Sequence, residues 1–273
     1  MTEHTTAPAV LGDRVPQAVA DYFLALDEGR FDDAVACFSE AARYAVPAPG
    51  LIETSPRLQT VGRGPLRDRF EARGARPSVH DILLCAVEGS TCILEGVSGT
   101  GSSAESSSFV ASVELDAAGL IGRYLAYATA PAVVPAPGDV PTGAAAPGDA
   151  REVLDRYFTA LDRGDFAAAA DCFGADVLYS HPPYKHTGVD GDRRLEMHGR
   201  DALRKTFEAR GAQSFDHRLL ALIQRGPHCL VEGLVEGLPG GMSGSFLSSF
   251  TLDGDGLIAR YLSFYCEPSV PVG

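Results

Sequence analysis

"YFLALDEGRFDDAVACF", residues 22–38, returns as "YFTALDRGDFAAAADCF", residues 157–173, with ten of seventeen positions identical. A match of that length, 135 residues apart, marks an internal duplication. Val19, Tyr22, Phe23 and Leu26 recur at helical spacing, so the first copy predicts a helix from Val15 to Glu28 that Gly29 stops. Phe31 to Phe38 reads as a second, shorter helix. Working outward, "GRGPLRDRFEARG" (62–74) matches "GRDALRKTFEARG" (199–211) at nine of thirteen positions, and "LDAAGLIGRYL" (115–125) matches "LDGDGLIARYL" (252–262) at eight of eleven. The offset there is 137, so the second copy holds two extra residues between Tyr179 and Gly199.

A third helix is predicted over 64–73. Strand character follows at 79–87, 91–97, 107–115 and 120–128, with turns at "EGS" and "DAAG". Helices followed by consecutive strands predict an α+β fold with an antiparallel sheet. Between the copies, residues 130–149 are rich in Pro, Gly and Ala without apolar periodicity and read as a semi-extended linker. The expected organisation is a first domain over 1–129, a linker over 130–149 and a second domain over 150–273.

Composition removes several function classes. Asp and Glu outnumber Lys and Arg 36 to 23, for a net charge of −13, and no basic run offers the footprint that a nucleic-acid backbone needs. The opening "MTEHTTAPAVLGD" lacks a basic segment followed by an apolar one, and no apolar run approaches membrane-spanning length. A cytoplasmic protein with no nucleic-acid or membrane partner is expected. Six cysteines with no C-x-x-C pair read as buried thiols rather than as a disulfide scaffold or a zinc site.

The "RYFTALDRGDFAAAADCFGADVLYSHP" segment and the closing "FTLDGDGLIARYLSFY" resemble the nuclear transport factor 2-like superfamily, which includes ketosteroid isomerases, SnoaL-like polyketide cyclases and limonene-type epoxide hydrolases. The resemblance covers nearly all of both copies. It implies two tandem cone-shaped domains, each with N-terminal helices packed on a curved antiparallel sheet whose open end holds an apolar pocket. Members often pair sheet to sheet, so the tandem chain is expected to form an intrachain pseudo-dimer, as a monomer or a homodimer of chains.

On the same resemblance, Ala175 to Pro182 is the strand that enters the cone, and "YSHPP" places His181 where ketosteroid isomerases carry a proton-shuttling Asp. An imidazole titrating at about 6.5 exchanges protons near neutral pH. Tyr157 falls at the place of the isomerases' oxyanion-donating Tyr, and Ser248 replaces their second donor, an Asp. The first copy has Val46 opposite His181, so the fold does not require a polar group there. Tyr157 and Tyr179 are matched by Tyr22 and Tyr44, which is how structural residues also behave. Tyr184 and His186 have no polar counterparts and are candidates for the pocket mouth.

In "RRLEMHGR" alternation sets Glu196 and His198 on one strand face. Facing inward, Glu196 could orient or protonate His181 or the substrate, and His198 could contact the substrate; facing outward, both are solvated. Glu236 replaces Gly99 and is a further copy-specific candidate. His217 matches His80 and reads as a satisfied structural histidine. The spacing of His181, His186 and His198 fits no standard metal-ligand pattern, and no phosphate-cradling glycine motif is present.

These residues point to a cofactor-independent general acid-base enzyme in the second copy, an isomerase, cyclase or dehydratase acting on a mostly apolar or polyketide-like small molecule. The first copy then reads as degenerate or structural. Two alternatives stay open: an epoxide-opening hydrolase or cyclase that uses carboxylates, and a non-catalytic binding or accessory protein.

Overall fold

The computed structural model describes residues 10–47, 57–76, 79–99, 106–130, 132–133, 148–183 and 194–269. Two compact units make it up. In the first, β1 (Leu11–Gly12), α1 (Gln17–Asp27), α2 (Phe31–Ala36), β2 (Phe38–Pro47), β3 (Arg57–Val61) and α3 (Arg63–Arg73) precede a meander of β4 (Val79–Glu88), β5 (Thr91–Gly99), β6 (Ser107–Leu115) and β7 (Ile121–Thr129). The second runs through α4 (Ala150–Asp162), α5 (Phe166–Ala170), β8 (Phe173–His181), β9 (Leu195–His198) and α6 (Arg200–Arg210). Its meander is β10 (Asp216–Arg225), β11 (His228–Leu238), β12 (Met242–Leu252) and β13 (Ile258–Cys266).

Both units are α+β, and their sheets share one order. Strands line up as β1-β4-β5-β6-β7-β2-β3 in the first and β10-β11-β12-β13-β8-β9 in the second. One joint differs from the expected antiparallel sheet. The last strand of each meander lies parallel to the strand that follows the second helix, β7 on β2 and β13 on β8, because that strand enters from the helices and not from a hairpin. Leu11–Gly12, which also pairs in parallel at the edge of β4, is too short to announce itself in the sequence.

Local chemistry explains the elements that frame the second unit. Asp149 caps α4 by accepting from the Arg151 N–H, and Val153, Leu154, Tyr157, Phe158 and Leu161 form its buried stripe. Gly164, at φ +74°, turns the chain out of the helix. Asp253 Oδ1 accepts from the backbone N–H groups of Asp255 and Leu257, both at 2.9 Å, and so fixes the turn between β12 and β13. Register shifts at Leu219/Ala221, Val235/Leu238 and Thr251/Leu252 bend the strands, as β-bulges do. Helix α4 packs on β10 and α6 on β8 and β9. Tyr157 lies edge-on to Phe173 at 4.9 Å and stacked near Phe207 at 5.9 Å, at the centre of the aromatic core.

Gly233 serves the site directly. It faces Phe246 across β11 and β12, and a Cβ there would fall 2.3 Å from the Phe246 ring and 2.9 Å from the Arg218 carbonyl oxygen. The missing side chain lets the ring lie over the neighbouring strand and form a wall of the cavity described next.

Candidate functional site

Helices α4 and α6 and strands β8 to β13, β9 excepted, enclose a cavity of about 60 Å³ in the second unit. That is room for several water-sized groups. Tyr157, Phe158, Leu161, Val235 and Phe246 give it an apolar wall, while His181, His217, Arg210, Ser263 and Tyr265 bring polar atoms to its surface. None of the described lining residues is a carboxylate.

His181 ends β8 and lines the cavity, as the sequence predicts. Its Nδ1 lies 2.6 Å from the Pro182 carbonyl oxygen, which can only accept, so Nδ1 carries the proton and Nε2 is the basic nitrogen. The ring stacks on Tyr179 at 5.9 Å. Its protonation departs from the sequence expectation. Burial, offset in part by the Pro182 bond and aided by the positive potential of Arg194, Arg210 and His217, lowers its pKa from 6.5 to about 3. His181 is therefore a neutral acceptor at neutral pH rather than a group that titrates there.

The second histidine is held differently. His217 Nδ1–H donates to Asp162 Oδ1 at 2.7 Å, and the His217 backbone N–H donates to Oδ2 at 3.1 Å. The ring lies flat on Phe158, 4.3 Å away with 3° between planes. A carboxylate fixed on Nδ1 sets the tautomer, leaves Nε2 as the acceptor and supports the ring when it takes up a proton. Asp27 holds His80 in the same way in the first unit, including a backbone bond of 2.8 Å. The dyad thus also fastens a helix to a strand.

Tyrosines complete the polar set. Tyr157 and Tyr179 hydroxyls meet at 3.2 Å, as Tyr22 and Tyr44 do at 2.9 Å. Tyr179 stacks on Tyr261 at 5.1 Å. Ser248, fully buried behind this wall, has its hydroxyl within hydrogen-bonding distance of Ser263 Oγ at 2.9 Å and Tyr261 Oη at 3.3 Å. It braces the site from behind and does not line it. Ala111, Ala126 and Ala128 stand where the second copy has Ser248, Ser263 and Tyr265, so this polarity belongs to the second copy.

Three candidates lie elsewhere. Strand β9 buries Met197, half-buries Leu195 and leaves Glu196 and His198 exposed, because the apolar pair takes the inner face of the alternation. Glu196 cannot reach His181 from there, and His198 does not line the cavity. Glu236 is half-exposed and paired with Arg218 at 3.0 Å on the surface of β11. Tyr184 and His186 lie outside the described residues.

Sequence reasoning passed over Asp162, His217 and Arg210. Each has a twin, Asp27, His80 and Arg73, and a residue required by the fold in both copies gives no copy-specific signal.

The fold and cavity define a class, that of an α+β unit whose helices and curved sheet surround an internal cavity. Residues 154–261, most of the second unit, match the family model described as SnoaL-like domain. No curated protein matches the chain. Similar solved structures include an NTF-2 like protein of Burkholderia xenovorans, 18% identical over 45% of this chain and 87% of that one, TM-score 0.35. A hypothetical protein of Catenulispora acidiphila with a ketosteroid isomerase-like fold is 16% identical over 42% and 86%, TM-score 0.35. The epoxide hydrolase/cyclase-like enzyme SalBIII, of pyran ring formation in salinomycin, is 23% identical over 42% and 88%, TM-score 0.33.

Proposed function

We propose that the second unit is a cofactor-independent acid-base enzyme, an isomerase or cyclase, that moves a proton next to a carbonyl of a mostly apolar small molecule. The observation that carries this reading is a carboxylate-held histidine, His217, facing an apolar cavity together with a second, neutral histidine and a pair of tyrosine hydroxyls. His217 Nε2 takes the proton from carbon, and the imidazolium formed is stabilised by Asp162. The Tyr157–Tyr179 pair donates a hydrogen bond to the enolate oxygen as charge develops there. His181 Nε2 accepts from a substrate hydroxyl and orients it. The enolate then either recovers the proton from His217 at another carbon, which is isomerisation, or attacks a second carbonyl, with the proton passing to the alkoxide, which is cyclisation.

Incubation in heavy water with a panel of apolar ketones and poly-β-ketone esters tests this class. Deuterium uptake at the carbon next to the carbonyl, followed by mass spectrometry and reduced about 10²-fold in His217→Gln, is the expected result. Ligands recovered without deuterium across the panel would leave a binding protein.

A further inference from the structure

Tyr265 lies near the end of β13 and lines the cavity together with Tyr261 and Ser263 of the same strand face. Its ring rests on Gly244 of β12, where a Cβ would fall 2.3 Å from the Tyr265 Cε2 and Oη atoms. The hydroxyl donates to Glu267 Oε2 at 3.3 Å, which holds the phenol at the strand terminus. The first unit has Ser107, Ala128 and Ala130 in place of Gly244, Tyr265 and Glu267. The three differences answer one another: a glycine clears the space, a tyrosine fills it and a glutamate holds the hydroxyl. A ring lying on a glycine is not by itself a mark of function, since Gly96 and Phe109 of the first unit repeat the Gly233–Phe246 arrangement. That pair serves the fold in both copies. The Gly244–Tyr265 pair does not, because the equivalent strands of the first unit pair in the same order without it. What the tyrosine adds is bulk in the wall of a cavity of about 60 Å³.

We propose that Tyr265 is a specificity-determining residue that restricts the substrate to a compact molecule, one ring or a short chain, by occupying the space that a second fused ring would need. This rests on the catalytic site proposed above and names the size of its substrate. Selection by bulk follows from close packing, because an interior that already fits its contents rejects added carbon atoms unless a wall gives way. The Tyr265 ring lies directly on the Gly244 backbone and has no depth into which to retreat. The selection belongs to the ring and not to the hydroxyl, whose proton goes to Glu267.

Calorimetric binding of acetophenone and 2-acetylnaphthalene, which differ by one fused ring, tests the assignment on the full chain. The native protein should bind acetophenone about tenfold or more tightly, the range of an overpacked interior. Tyr265→Ala, which installs the side chain of Ala128, should cut that preference by about threefold or more through tighter binding of the naphthyl ketone, whereas Tyr265→Phe should keep it. Equal or tighter binding of 2-acetylnaphthalene to the native protein, a smaller change in Tyr265→Ala, or loss of the preference in Tyr265→Phe overturns the proposal. Benzyl alcohol and 2-naphthylmethanol repeat the comparison without a carbonyl, and no binding of either one-ring compound below millimolar likewise overturns it. Should Tyr265→Ala fail to fold, Tyr265→Leu decides by the same criterion. Ring-size selection without deuterium uptake by any ketone would remove the catalytic reading and leave this one, while uptake from both ketones with no size preference in binding would do the reverse.

Discussion

Burial gives His181 a property that its place in the sequence does not reveal. Below pH 6.5 the unfolded chain binds a proton that the native ring refuses until about pH 3, so this residue costs stability as pH falls through that window. His181→Val, which installs the side chain of Val46, should fold and should lose less stability than the native protein between pH 7 and pH 4.5 in urea titrations. An identical pH dependence in the variant would show that the ring is not desolvated. The paired aspartates separate structure from chemistry at the same scale. Asp27→Asn and Asp162→Asn should each cost about 1–3 kcal/mol by weakening a bond to a charged group, measured by urea denaturation. Turnover should fall in the second alone. His181 was legible because its twin is apolar; Asp162 and His217 were hidden because theirs are identical.

Elements tell a similar story about what a pattern conveys. Alternation correctly grouped Glu196 with His198 on β9, yet the choice of face depended on Met197 finding the core, a tertiary fact. The helices were legible to within about two residues, the usual end uncertainty, and α2 ended at Ala36 because Phe38 already belongs to the sheet. That boundary affects Cys37, expected to be buried like Cys172. It sits half-buried at the α2 terminus with its Sγ–H toward the Asp33 carbonyl oxygen at 3.4 Å, whereas the other five thiols are buried. Ellman's reagent should label Cys37 first in the native protein and reach the others only on unfolding, despite the raised pKa that burial gives the Cys37 thiol. On β11, Gly233→Ala should cost about 1–3 kcal/mol as the Phe246 ring is pushed off the strand. The same change should weaken ligand binding, because that ring forms a wall of the cavity.

At the scale of the whole molecule, the two copies share an order of elements, a tyrosine pair and an Asp–His pair, and differ in what surrounds them. Val46, Ala126 and Ala128 replace His181, Ser263 and Tyr265, and the family match spans 154–261. The duplication and the α+β class were plain in the sequence because repeats and hydrophobic periodicity are local signals. The cavity was not, since its walls converge from five strands and two helices far apart in the chain. One ligand should therefore bind per chain by calorimetry, and Val46→His should not raise that number. The most direct test compares the twin histidines in the deuterium-uptake assay. His80→Gln and His217→Gln break equivalent structural pairs, so both should destabilise, but only His217→Gln should lower the exchange rate, by about 10². Equal rates in the two variants would contradict the assignment of His217 as the base.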